Sequence, residues 1–104
     1  MEIKFTEEKG RLTVALTGEL DHHEARTVSE KLLREIDVTL PRDCVLDMKG
    51  VGFMDSSGIA VALKAYKKMM RLGGRLWIEN VRRQPMHVFD AAGIDRVIGI
   101  TSAV

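Results

Sequence analysis

One cysteine, two prolines and five aromatic residues (three Phe, one Tyr, one Trp) are all that 104 positions hold of these types, and each scarcity removes an explanation. Cys44 cannot form an internal disulfide; it lies in an apolar run and reads as a buried structural thiol in a reducing, cytoplasmic setting. Lysine and arginine total 16 against 15 acids, so no general field draws nucleic acid or an acidic membrane, and any partner must be recognised locally. No apolar run approaches the roughly 20 residues that cross a bilayer, and Met1-Glu2-Ile3-Lys4 lacks the apolar region of a signal peptide. There is no Pro/Gly/Ser-rich linker, repeat or low-complexity tract, so the expectation is one soluble domain over residues 1–104.

Ile3 and Phe5 alternate with polar neighbours, Glu7-Glu8-Lys9-Gly10 makes a turn, and Leu12, Val14 and Leu16 alternate with Thr13, Ala15 and Thr17. That spacing predicts a β-hairpin. Asp21 and Glu24 then have the spacing of a capping box, so a helix starts near His22, with Ala25, Val28, Leu32 and Ile36 as its core stripe and Pro41 barring continuation. Cys44 to Met48 is mostly apolar on both parities, which predicts a central strand covered on both faces. Leu76-Trp77-Ile78 gives another strand, Pro85 sits near the start of a helix that ends at Gly93, and Val97, Ile98 and Ile100 supply a last strand. The six methionines and Trp77 read as core. The order β-β-α-β-α-β-α-β implies an α/β single-domain mixed β-sheet with crossover helices.

The most informative stretch is Phe53-Met54-Asp55-Ser56-Ser57-Gly58, which reads as a loop opening a helix. Asp55 or Ser56 is its N-cap; Ile59, Ala62, Leu63, Tyr66, Met69 and Met70 repeat at the spacing of one buried face; Lys64, Lys67, Lys68 and Arg71 form a solvated stripe; Gly73-Gly74 ends it. Two hydroxyls thus sit where backbone N–H groups lack partners and negative charge is welcome, which suits a phosphate acceptor as well as a plain cap. Loops at the carboxyl ends of parallel strands share one edge, so the helix starts near Asp21 and Ser56 are expected on one surface. Met54 is expected either to add apolar contact there or to anchor the loop, and Gly58 to let a partner or nucleotide approach closely.

Leu16-Thr17-Gly18-Glu19-Leu20-Asp21-His22-His23 and Phe53-Met54-Asp55-Ser56-Ser57-Gly58 resemble the two signature loops of the STAS domain anti-anti-sigma factor family, and the likeness runs over nearly the whole chain. The resemblance is closest to antagonists of the anti-sigma F factor. It implies phosphorylation at Ser56, with Ser57 as neighbour, by an anti-sigma factor serine kinase (SpoIIAB-like), and reversal by a serine phosphatase (SpoIIE-like). It implies that the unphosphorylated protein binds the anti-sigma factor and frees sporulation sigma factor F, using Glu19, Asp21, Met54, Asp55, Ser56, Ser57 and Gly58, and itself catalyses nothing. Weak nucleotide binding is associated with the same face in that family. Relatives commonly continue into another helix after the last strand, whereas this chain stops at Val104.

Other chemistries fit less well. His22 and His23 are adjacent and point about 100° apart on a helix, which does not chelate one metal. Ser56 with His87 as nucleophile and base lacks the nucleophile-elbow pattern, so no hydrolase and no cofactor is expected. The alternatives kept open are a nucleotide- or small-anion-binding STAS module and an antagonist in a stress-response sigma system.

Overall fold

In the computed structural model, which describes residues 1–103, the order is β1 (Glu2–Glu8), β2 (Arg11–Leu20), α1 (His22–Thr39), β3 (Asp43–Met54), α2 (Ser57–Arg71), β4 (Arg75–Val81), α3 (Arg83–Ala91), a 3-10 turn (Ile94–Arg96) and β5 (Gly99–Ser102). The strands lie in the sheet in sequence order, β1 antiparallel to β2 and the others parallel. Each β-α-β crossover therefore steps the same way, and right-handed connections stepping one way set all three helices on one face. No helix among the described residues is long and apolar enough to cross a membrane.

The alternation expected for β2 is present: Leu12, Val14 and Leu16 are fully buried against the helices, and Thr13 and Ala15 face the other way. Cys44, Leu46 and Met48 of β3 and Leu76 and Ile78 of β4 share the covered face. Burial pushes the Cys44 thiol up to about 12, so it is an inert core side chain.

The expectation that β3 is a central strand buried on both faces holds, but the two faces are covered differently. Its second face carries no helix, yet Asp43 and Val45 are buried there. Arg11, Asp43 and Arg75 are register partners across β2, β3 and β4. Both guanidiniums bond the Asp43 carboxylate, at 3.3 and 3.0 Å, and both lie over the Trp77 ring, 5.0 and 5.6 Å from its centre. Trp77 is thus not a core residue: it stands half-buried on this open face, its Nε1–H donating to Glu79 at 2.8 Å. Val45, the register partner of Trp77 on β3, is buried on this same face.

Burial alone would raise the Asp43 carboxyl, but the hydrogen bonds and charges of Arg75 and Arg11 outweigh it and hold the carboxyl below its usual range. A carboxyl depressed in the folded state stabilises fully above its unfolded pKa, about 3.9, and loses that contribution as pH falls through the folded value. Asp43→Asn is therefore expected to lower the melting temperature at pH 7 and to converge with wild type as melts are repeated toward pH 2–3 (a range of about one to two units below the unfolded value). A constant offset at every pH would show that Asp43 acts through packing alone.

The helix ends follow local chemistry. Asp21 caps α1, its Oδ1 accepting from the His23 and Glu24 amides at 3.0 and 3.2 Å. Only half of the expected capping box forms, because the Glu24 carboxylate accepts from the Met1 amino group instead of reaching back. α2 closes with Gly73 at φ 77°, where the Gly74 and Gly73 amides return to the Met69 and Met70 carbonyls at 2.9 and 3.1 Å. This is a Schellman end whose left-handed position suits glycine.

The inward face of α2 differs from the expected stripe. Gly58, Val61, Ala62, Ala65 and Met69 are buried, Ile59, Leu63 and Tyr66 are half-buried, and Met70 is exposed. Pro85 stands third in α3, still in the first turn, where a missing N–H costs no helical bond. The last strand starts at Gly99, later than expected: Ile98 is buried just before it, and Val97 is exposed.

Candidate functional site

β2 and β3 run side by side to their ends, where Leu20 is paired with Met54, and each leads at once into a helix start. Only Asp55 and Ser56 lie between β3 and α2, a much shorter loop than the sequence suggested, since Phe53 and Met54 belong to the strand and Gly58 to the helix. The Asp55 amide continues the ladder by donating to the Leu20 carbonyl at 3.3 Å.

Asp55 ties the two helix starts together. Its Oδ1 accepts from the Ser57 amide at 2.8 Å, and its Oδ2 accepts from the His22 amide at 3.1 Å, with His22 Nδ1 at 3.7 Å. Asp55 is thus the chemical cap of α2, whereas Ser56 already has helical backbone angles and makes no capping bond. The Ser57 amide bond leads the causes that hold the Asp55 carboxyl below its usual range. Partial burial opposes it, and the Ser57 hydroxyl, the His22 amide and the His22 charge add to it. Asp55 is accordingly an anion throughout the neutral range.

The two adjacent serines end in different surroundings. Ser57 is half-buried, turned onto Asp55, and lines the groove between α1 and α2. Ser56 is exposed and lines a second groove, between α2 and α3. Of the two hydroxyls, Ser56 has the open approach for an incoming group, and two helix starts lie behind it.

The other residues singled out from sequence divide sharply. Glu19 is exposed at the end of β2 opposite Phe53, and Asp21 is half-buried with both capping bonds on Oδ1. Among the described residues this leaves Asp21 Oδ2 open. Met54 is fully buried and offers no side-chain surface to a partner; its strand neighbour Phe53 is the exposed apolar group, at 42%. Gly58 also faces inward. A Cβ there would stand 2.4 Å from the Met54 side chain and 3.1 Å from Leu20 Cδ2, so the missing side chain lets α2 close over β3 rather than admitting a partner.

Gln84, which no sequence signal marked, holds the end of β3 in place. Its amide accepts from the Met54 N–H at 2.8 Å and donates to the Met54 carbonyl at 3.0 Å, as a further strand would. Gln84→Ala is expected to lower stability by about 1–3 kcal/mol, because it strands both backbone groups of a buried residue. Hydrogen exchange should quicken first at Met54 and Asp55; unchanged protection there would remove Gln84 from the account.

The rings of His22 and His23 lie 4.0 Å apart, and no group of three metal-ligating side chains occurs among the described residues. The geometry therefore presents a hydroxyl between two helix starts, beside fixed carboxylate charge.

Comparison with known proteins adds the family. The STAS domain family model matches residues 2–104. An anti-sigma F factor antagonist of Paenibacillus polymyxa is 32% identical over 100 residues, covering 96% of this chain and 86% of the relative. An anti-sigma-B factor antagonist of Bacillus subtilis (strain 168) is 26% identical over 102 residues, covering 98% and 92%. Among solved structures, the anti-sigma factor antagonist SpoIIAA in its unphosphorylated form superimposes with a TM-score of 0.82 at 22% identity, over 95% of this chain and 87% of that one. Its phosphorylated Bacillus form superimposes with a TM-score of 0.73, over 95% and 90%. At 22% identity these two likenesses are of fold alone.

Proposed function

The chain belongs to the STAS domain family of anti-sigma factor antagonists, and from that premise we propose that it is a phosphorylation-gated partner switch centred on Ser56. With a free hydroxyl it binds a SpoIIAB-like anti-sigma factor and releases a sporulation sigma factor of the F type. The same partner, acting as an ATP-dependent kinase, transfers phosphate to Ser56 and ends the complex, and a SpoIIE-like phosphatase restores it. The chain acts by binding, in the cytoplasm, and supplies no catalytic group.

The observation that carries this reading is the contrast between the serines: Ser56 is exposed and free of capping duty, while Ser57 is engaged with Asp55. Phosphate at Ser56 adds about −1.5 to −2 charges at helix starts whose N–H groups and dipoles favour an anion, so the domain tolerates what the interface does not. Glu19, Asp21 and Asp55 form the charged part of the docking face, and Asp21 Oδ2 is open to a partner's cation even while Oδ1 caps α1.

A stress-response sigma system is the second reading, supported by the anti-sigma-B relative. Incubation with each type of anti-sigma kinase and ATP, followed by intact-mass and peptide mapping, tests both. One phosphoryl group on Ser56 is expected from the F-type kinase, and none on Ser56→Ala. Modification by the B-type kinase alone would transfer the protein to the second reading; phosphate on Ser57, or nucleotide binding without modification, would contradict both.

A further inference from the structure

We propose that the sheet face without helices is where a second copy of this chain docks, face to face across a two-fold axis with its strands reversed; the inference stands apart from the partner-switching reading. β2 to β5 are parallel, and parallel strands are ordinarily covered by other elements on both faces. Here one face carries no helix. It presents Trp77, half-buried beneath the Arg11 and Arg75 guanidiniums, and tryptophan and arginine are the residues that carry most energy where proteins meet.

Strand register sets the pattern of this face. Its middle row is uncharged: Thr6, Thr13, Val45, Trp77 and Gly99, one from each strand. Two residues to one side stand Glu8, Arg11, Asp43 and Arg75, and two residues to the other stand Lys4, Ala15, Asp47 and Glu79. A two-fold axis along the middle row lays each strand over its own copy and exchanges the outer rows. Glu8 then meets Lys4, and Arg75 meets Glu79, twice each, while Trp77 meets Trp77 at the uncharged centre. Asp47 comes over Asp43, whose charge the Arg11 and Arg75 guanidiniums already balance. The face is complementary to itself, whereas a segment of a single charge sign finds both signs here and gains little. Its acids are also fixed in advance: Asp47 Oδ1 accepts from the Asn80 side chain and the Lys49 amide, both at 3.1 Å, and Glu79 accepts from Trp77 Nε1 at 2.8 Å, so docking orders little that is not ordered already. Strands about 4.8 Å apart and about 3.3 Å per residue make the face roughly 20 Å across, which keeps the pair under about 1,200 Å² and in the range of weak, concentration-dependent contacts. The helices lie on the opposite face, so Ser56 stays open in both copies.

Sedimentation equilibrium of the intact chain is expected to show a mass that rises from 11.6 kDa toward twice that value with concentration, with the emission of Trp77, the sole tryptophan, shifting to the blue over the same range. Lys4 and Glu8 are exposed and belong to no ion pair among the described residues, so both accept substitution without loss to the fold. Lys4→Glu and Glu8→Lys are each expected to weaken self-association by about tenfold or more, since either change sets like charges against each other twice. An equimolar mixture of the two variants is expected to associate as wild type does, because the exchanged charges match again, and that recovery also shows both variants folded. A wild-type chain that stays monomeric at every concentration, single variants that associate like wild type, or a mixture no tighter than its components would each overturn the inference.

Discussion

Ser56→Asp is expected to bind the anti-sigma factor about tenfold or more weakly than the unmodified chain, and to melt within a few degrees of it. The Ser56 side chain makes no capping bond, so its replacement removes no internal contact. An aspartate at this place gains from the N-terminal dipole of α2, on the order of 0.3–1 kcal/mol, and loses a similar amount to the neighbouring Asp55. The fold is therefore nearly indifferent. The interface is not, because the new charge lies on the exposed rim where a partner must shed water from both surfaces, and it meets a contact fitted to a neutral hydroxyl. Ser56→Ala is expected to bind like wild type and to refuse phosphate. Circular dichroism melts beside binding titrations of both variants check this. A collapse of structure in Ser56→Asp, or undiminished binding by it, would contradict a local switch.

Gly58→Val carries the largest expected effect on the fold, a loss of about 2–3 kcal/mol or, for a domain of this size, about 10–20 °C in melting temperature. Even the first added carbon meets the Met54 side chain at 2.4 Å, and a branched residue also meets Leu20, the two residues that close β3 and β2 beneath the site. Better helix propensity than glycine returns only a fraction of a kcal/mol. Gly58→Ala should lie between the two, and should be tolerated better in a Met54→Ala background, where the obstructing side chain is gone. A Gly58→Val protein that melts like wild type yet resists the kinase would return Gly58 to the partner face.

Much of this was legible because the signals are local. Alternation in β2, Asp21 and Asp55 before apolar periodicity, and Gly73-Gly74 each fix an element end by chemistry within a few residues. The pairing of the two helix starts followed from strand order. What was hidden depends on distance between elements. The spacing of apolar residues suggested that Ile59, Leu63 and Tyr66 face the core. α2 instead turns Gly58, Ala62 and Ala65 inward, since small residues let a helix close on a sheet, and leaves the larger ones half-buried.

Likewise β3 looked shorter, because Lys49-Gly50-Val51-Gly52 interrupts the apolar pattern. Gly50 is there since a Cβ would stand 2.7 Å from the Leu16 carbonyl of β2, where the register shifts. Trp77 was misplaced for the opposite reason: an aromatic next to Leu76 and Ile78 reads as core unless the open face and its two arginines are seen. The double service of Asp55 and the clamp by Gln84 join residues 33 and 30 positions apart, and no spacing rule reaches them.

On the function proposed above, a single phosphate on Ser56 decides whether this chain holds an anti-sigma factor. The most direct measurement is competition: the chain, unphosphorylated and then phosphorylated at Ser56, is titrated into the preformed complex of anti-sigma factor and sigma factor while free sigma is followed. The unphosphorylated chain is expected to displace sigma in stoichiometric amounts, the phosphorylated chain to displace none at the same concentrations, and phosphatase treatment to restore displacement. Equal displacement by the two forms would contradict it.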